Sequence, residues 1–239
     1  MDGIELAARF SFITNHLRFC GPESAENQFL NYLKKKDNAE EVEFALKKFE
    51  GLYPYLSAIA KKANGSFADY QVVEGYWIGN SLLDNFKDAD IKDIIKKLMN
   101  RGLPKSLGNR LIEKLPAGLV PHHNFNVFYV GVGNITGSVE ATIQNMDNCR
   151  ISQGTIQDVI GDHLVVKTDS IVKEKGIYGF KDDVKNVVYH PEFLPVKKGD
   201  IVALHWGYAA MKLTKEQSVN LEKYTIKILD VINSQSRAS

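Results

Sequence analysis

Hydrophobic residues follow two different spacings along the chain, and the change falls near its middle. Over about the first 115 residues they recur every three or four positions, as in amphipathic helices. The first of these segments has a continuous apolar face, formed by Leu6, Phe10, Ile13 and Leu17. From about Cys149 onward, β-branched and aromatic residues form short runs between turn residues, as in strands. The pattern predicts helices followed by a sheet.

The N-terminal part, residues 1–118, is predicted to be an all-α bundle of about six short helices. Glycine and proline in Phe19-Cys-Gly-Pro22 end the first helical segment. The later segments with helical spacing cover 24–36, 38–50, 54–63, 69–86, 88–101 and 104–115. Gly75 and Gly79 lie one helical turn apart, which would let a neighbouring backbone approach closely.

Residues 119–148 are predicted to connect two domains, because two prolines and a glycine within 116–121 interrupt the helical pattern. The run 122–131 is rich in β-branched and aromatic residues and predicts a strand. The stretch 138–147 predicts a helix. The connection is therefore expected to hold one strand and one helix.

Residues 149–239 are predicted to form a small OB-like β-barrel with a C-terminal helix, which makes the fold class α+β. Strands predicted at 155–160 and 163–168 form a hairpin, and a third strand is predicted at 184–189. The run Ile201–Ala210 is almost unbroken in apolar residues, which is typical of a strand buried on both faces.

Composition narrows the expected location and partners. Thirty basic and twenty-nine acidic side chains leave a formal net charge of +1, so no general attraction to nucleic acid or anionic membrane is expected. Two cysteines fit a reducing compartment better than a disulfide-rich secreted scaffold. No signal-peptide pattern opens the chain, and no run of about 18 apolar residues occurs. We therefore expect a cytoplasmic protein that binds neither membrane nor nucleic acid.

Two motifs of the barrel segment have the spacing of a known family. The first is Cys149-Arg-Ile-Ser-Gln-Gly154, a cysteine followed five residues later by a glycine that leads into a strand. The second is Gly199-Asp-Ile-Val-Ala-Leu-His205-Trp-Gly-Tyr-Ala209, which precedes the terminal helix. Residues 149–233 thereby resemble the HypC/HupF family of hydrogenase-assembly chaperones.

That resemblance implies a function in assembling a metal centre. Members of the family carry iron with cyanide and carbon monoxide ligands toward the large subunit of nickel-iron hydrogenase. The resemblance therefore implies iron as the cofactor, Cys149 and His205 as the functional residues, and hydrogenase maturation proteins or the large subunit as partners. A thiolate is a soft ligand suited to such iron, and an imidazole can ligate it or donate a hydrogen bond. Arg150 beside the cysteine would favour the thiolate form.

Two further residues are candidate metal ligands. Cys20 could meet Cys149 across the domain interface, although a buried structural cysteine at a helix end is the simpler interpretation. On a strand, His122 and His123 would point to opposite faces. His122 would then share a face with two asparagines and is the better candidate, whereas His123 would share a face with apolar residues and be structural.

Two alternative functions stay open. An enzyme could use Cys149 as an iron ligand or nucleophile to make or process a ligand of such a cofactor, in a cleft between the domains. A barrel that binds single-stranded nucleic acid is disfavoured by the neutral charge. The usual phosphate-binding, nucleotide-binding, hydrolase and zinc-protease motifs are absent from the sequence. The sequence is compatible with both a carrier and an enzyme.

The whole chain also resembles an uncharacterised bacterial and archaeal family known only as a domain of unknown function. The matching stretches are Arg18-Phe-Cys-Gly-Pro22, Glu74-Gly-Tyr-Trp-Ile-Gly-Asn80, His122-His-Asn-Phe-Asn126, Cys149-Arg-Ile and Leu204-His-Trp206. This resemblance supports the domain arrangement and implies no activity.

Overall fold

The computed structural model describes residues 1–23 and 25–238 and has the predicted α+β order of helices, a five-stranded sheet and a C-terminal helix. Within these residues, seven α-helices precede residue 119: α1 Gly3–His16, α2 Ala25–Lys35, α3 Ala39–Lys48, α4 Tyr53–Ala63, α5 Tyr70–Trp77, α6 Asp88–Met99 and α7 Lys105–Glu113. The central helix is α1, which is buried along most of its length and packs against α2, α3 and α5. Its N-terminus is capped by Asp2, whose carboxylate accepts a hydrogen bond from the Glu5 backbone N–H.

The single helix predicted over 69–86 is divided in two. Helix α5 ends at Trp77, and a 3₁₀ turn follows at Ser81–Asn85. Gly79 between them has a φ of +95°, and a Cβ there would lie 2.2 Å from a ring carbon of Tyr224. The break follows because the chain turns through a left-handed conformation while the C-terminal helix packs against it.

The strand predicted at 122–131 is wrong. The segment forms a short helix, α8 His123–Phe125, which continues into a π-helix at Asn126–Gly131. The residues that suggested a strand are buried helical residues, because an apolar run does not by itself distinguish a strand from a buried helix. The helix predicted at 138–147 is present as α9, Ile143–Cys149, and it ends at the cysteine.

The sheet contains five strands within the described residues: β1 Ser152–Ile160, β2 His163–Glu174, β3 Ile177–Val188, β4 Ile201–His205 and β5 Tyr208–Lys212. Their hydrogen-bonded order is β1-β2-β3-β5-β4, and pairing of β4 with β1 closes the sheet. All neighbours are antiparallel except β3 and β5, which meet in parallel register at Val188 and Tyr208. The C-terminal helix is α10, Lys215–Ala238.

The single strand predicted over Ile201–Ala210 is also wrong, because a tight turn divides it into β4 and β5. Trp206 and Gly207 both have positive φ angles, of +51° and +70°. A two-residue turn of this type matches the twist of an antiparallel pair and reverses the chain at once. The turn places His205 at the last position of β4, at one end of the barrel.

Two cores hold the chain together. A small core fills the barrel and includes Ile156, Leu164 and Val202. A larger one joins the helices to the outside of the barrel and to α10 without interruption. Domain boundaries at 118 and 148 stay predictions, since this larger core crosses both. None of the helices in the described part of the chain combines the length and apolar content needed to span a membrane.

Asn124 fastens the connecting segment to both the barrel and α10. Its amide accepts a hydrogen bond from Ile151 N at 2.8 Å, and it donates to Ile151 O at 3.0 Å and to Thr225 Oγ1 at 2.8 Å. The residue is fully buried, so all three bonds are sheltered from water. The Asn124 amide thereby holds Ile151, which follows Cys149 and precedes β1, against the helix that begins at His123.

We expect Asn124→Ala to lower the free energy of unfolding by roughly 2–4 kcal/mol, because it leaves three buried polar groups without partners. Urea titration followed by circular dichroism measures the loss. Asn145→Ala is the matched control, since its side chain donates one hydrogen bond near the surface, to Glu140 O. Equal losses in the two variants would contradict the special position of Asn124.

Candidate metal centre

Three buried side chains from separate parts of the chain converge at the junction of the helices and the barrel. They are His123 at the start of α8, Cys149 at the end of α9 and His205 at the end of β4. One ligand atom from each lies within 4.8 Å of those of the other two. Two imidazoles and a thiol are ligands that transition metals such as iron and zinc prefer.

His205 is held in one orientation by the first helix. Its Nδ1 lies 3.1 Å from the backbone oxygen of Phe10, which can only accept a hydrogen bond. Nδ1 must therefore carry the ring proton, and Nε2 has a free lone pair. Nε2 is buried and has no hydrogen-bond partner among the described residues. A histidine that donates one ring N–H to a carbonyl and leaves the other nitrogen free is arranged as metal ligands are.

His123 has partners at both ring nitrogens. Nδ1 lies 3.0 Å from the Tyr76 hydroxyl, and Nε2 lies 2.9 Å from the backbone oxygen of Cys149. The Trp77 ring lies over the imidazole, with centroids 4.6 Å apart. Burial lowers the pKa of His123 to about 4. Burial, followed by the nearby His123 ring, lowers the pKa of His205 well below its usual value. Both rings are therefore neutral at pH 7 and able to ligate a metal.

Cys149 is a protonated thiol in the metal-free protein. Burial and the nearby Cys20 thiol together raise its pKa to about 12, although the neighbouring Trp206 indole lowers it. Arg150 does not produce the expected thiolate, because its guanidinium instead bonds Asp147 and Asp169. A bound cation would favour loss of the thiol proton, as thiol ligands are deprotonated by the metal they bind.

The spacing of the cluster suits a metal after a small adjustment. Sγ of Cys149 lies 3.7 Å from Nε2 of His123. In a tetrahedral site with normal bond lengths, sulfur and nitrogen ligands lie about 3.6 Å apart. With a largest separation of 4.8 Å, movements of about 1 Å would bring all three to bonding distance. The donor set and the unpartnered His205 nitrogen thus fit a metal ion.

A cavity of about 70 Å³ adjoins the cluster. Its walls are mainly apolar and include the rings of Phe19, Phe49, Tyr76, Trp77 and Trp206. A space of this size holds several water molecules or one small ligand. Three protein ligands and an adjoining cavity leave a fourth position for a ligand other than a side chain, as in catalytic metal sites.

Cys20, one of the predicted ligands, lines the same cavity but does not belong to the cluster. Its thiol instead donates to the Glu50 carboxylate at 3.6 Å. Burial and the neighbouring Glu50 charge raise its pKa to about 12. The structure thus brings the two cysteines to one cavity and places only Cys149 beside the histidines.

His122 and His123 have exchanged the positions expected from the sequence. The Nδ1 atom of His122 accepts the Asn124 backbone N–H and caps α8, while its ring lies 6.5 Å from that of Tyr224. His122 is therefore placed as a helix cap outside the cluster. His123 takes the position in the cluster because the segment is helical, so the alternation of faces that favoured His122 does not apply. In the sequence, Pro121 before the two histidines is the feature that is compatible with a helix starting there.

At pH 7, iodoacetamide is expected to modify both cysteines of the folded, metal-free protein at least about a hundredfold more slowly than in urea. The reason is that burial leaves almost no thiolate at a pKa of about 12. Mass spectrometry of timed samples measures both rates. Rapid modification of Cys149 alone in the folded protein would contradict this and would indicate an activated nucleophile.

Comparison with known proteins identifies a family for the chain but no similar curated protein or solved structure. Searches of curated proteins and of solved structures return no match. Residues 1–239 match the model of a family of unknown function, DUF6390. The match covers the helices, the connecting segment and the barrel together, and it confirms the expected membership of an uncharacterised family. The chain therefore belongs to DUF6390.

Proposed function

We propose that this protein binds a transition-metal ion through Cys149, His205 and His123 and takes part in assembling or delivering an iron centre. The observation that carries the proposal is the convergence of the three buried ligand atoms within 4.8 Å. The Nε2 atom of His205 is buried without a hydrogen-bond partner among the described residues, which is costly in an apolar environment. Metal binding would satisfy the unpartnered nitrogen of His205 and the thiol together.

The link to hydrogenase assembly rests on the barrel. Cys149 and His205 are the residues that correspond to the functional pair of HypC/HupF chaperones, and they lie side by side although 56 positions separate them. The five strands and their order support an OB-like barrel of that kind. The iron fragment with cyanide and carbon monoxide ligands is then cargo, and hydrogenase maturation proteins or the hydrogenase large subunit are its partners. Such partners place the protein in the cytoplasm.

An enzyme that makes or processes a ligand of such a cofactor is the second candidate. The observation that favours it is the cavity beside the cluster, because a metal held by three side chains can bind and polarise a small molecule there. The high pKa of Cys149 argues for a metal ligand rather than a free nucleophile within this alternative.

The metal-free protein is expected to bind one Co²⁺ per chain and to develop an intense near-ultraviolet band from thiolate-to-metal charge transfer. Cys149→Ser removes the band because it removes the thiolate. His123→Ala and His205→Ala each weaken Co²⁺ binding at least about a hundredfold, because each removes a ligand. Absorption titration under anaerobic conditions measures the stoichiometry, the band and the affinity.

Cys20→Ser is the matched control for that titration. It removes the other thiol of the same cavity but no member of the cluster, so the band and the affinity should be retained. His122→Gln tests the adjacent histidine in the same way. A protein that binds no Co²⁺, or a Cys149→Ser variant that binds it as tightly as the native chain, would sink the metal-binding proposal.

Anaerobic co-expression with hydrogenase maturation proteins tests the cargo. The purified native protein should show infrared bands of metal-bound cyanide and carbon monoxide, and the Cys149→Ser variant should lack them. Cys20→Ser should keep them. Partner complexes that form normally but carry no such bands would exclude the iron-fragment assignment while leaving metal binding itself intact.

A further inference from the structure

The hydroxyl of Tyr76 makes two contacts, yet it has a single proton to donate. The oxygen lies 2.9 Å from Gly51 O and 3.0 Å from Nδ1 of His123. Gly51 O can only accept, whereas Nδ1 donates or accepts according to the position of the ring proton. The hydroxyl can therefore point toward one neighbour at a time, and the ring proton of His123 decides which.

In the metal-free protein the ring proton belongs on Nε2. That nitrogen lies 2.9 Å from Cys149 O, and two acceptors at this distance would repel each other. With the proton on Nε2, the ring donates to Cys149 O and Nδ1 accepts from the Tyr76 hydroxyl. This leaves both nitrogens of a buried ring satisfied.

Metal binding needs the opposite arrangement, because Nε2 lies 3.7 Å from the Cys149 sulfur while Nδ1 faces the Tyr76 hydroxyl. Nε2 must then present a lone pair and the ring proton must lie on Nδ1. Nδ1 can donate to the Tyr76 oxygen once the hydroxyl proton turns to Gly51 O. As the metal binds, the ring exchanges protons with water, losing the proton on Nε2 and gaining one on Nδ1, while the hydroxyl keeps its own proton. The imidazole is therefore neutral before and after, and the Cys149 thiol releases its proton to water.

We propose that Tyr76 is a positioning residue whose rotating hydroxyl lets His123 change tautomer when a metal binds. The inference rests on the proposed metal site and adds a positioning residue to it. His205 has no such freedom, because its Nδ1 faces the fixed carbonyl of Phe10. The site thus combines a ligand that is already arranged with one that exchanges Cys149 O for the metal.

Nitrogen NMR of ¹⁵N-histidine-labelled protein tests the exchange directly, with Zn²⁺ as the diamagnetic probe. His123 should carry its proton on Nε2 without metal and on Nδ1 with Zn²⁺, whereas His205 should carry it on Nδ1 in both states. Spectra of His123→Ala and His205→Ala assign the signals. A His123 proton on Nδ1 without metal, or on Nε2 with Zn²⁺ bound, would overturn the proposal.

Tyr76→Phe is expected to weaken Zn²⁺ binding about tenfold to a hundredfold, because the Nδ1 proton loses its acceptor. Tyr55→Phe is the matched control: its ring packs 5.1 Å from that of Tyr76, but its hydroxyl donates to Asn126 instead. Competition with a chelating dye measures both affinities, and equal affinities would refute the role of Tyr76. Absence of Zn²⁺ binding in the native protein would sink the metal site itself, whereas binding without a tautomer change would sink only this inference.

Discussion

The hydrogen bond from His205 to the backbone oxygen of Phe10 joins residues 195 positions apart, and the geometry of the site depends on it. It connects the last residue of β4 with the middle of α1, so it exists only when the helices and the barrel are packed together. Phe10 is fully buried and its ring stacks on Trp77 at 4.9 Å, with the planes 12° apart. The packing that excludes water from the junction of the helices and the barrel therefore also sets the tautomer and the orientation of the His205 ring.

Burial at the junction of the helices and the barrel keeps the three candidate ligands uncharged. Two imidazoles and a thiol are each shifted toward the neutral form, so no net charge is enclosed at neutral pH. A divalent ion that displaces the Cys149 proton would leave one net positive charge in an apolar cavity. A single anionic ligand at the fourth position would neutralise it.

The sequence predicts much of the fold because the spacing of hydrophobic residues reflects which face of each element is buried. Helical spacing located most of the N-terminal helices, and the hairpin around Gly161 is present as β1 and β2. The errors share a cause, since an apolar run shows that a segment is buried but not how its backbone runs. The division of Ile201–Ala210 depends on positive φ at Trp206, a residue that seldom adopts it, so no turn residue other than Gly207 marked the place.

Local motifs predict two residues of the candidate site, Cys149 and His205, but not the residues that contact them. The spacing around Cys149 and His205 selected two residues that the structure places together, while the partners of those residues come from distant helices. Tyr76 contributes a hydroxyl and Phe10 a backbone oxygen, and no local motif links either residue to Cys149 or His205. The strand predicted at 122–131 favours His122 over His123, because it puts the two adjacent histidines on opposite faces, whereas the segment is helical. Tertiary packing therefore determines which histidine can reach the cluster. His122 caps the helix, and His123, the next residue, is a candidate metal ligand.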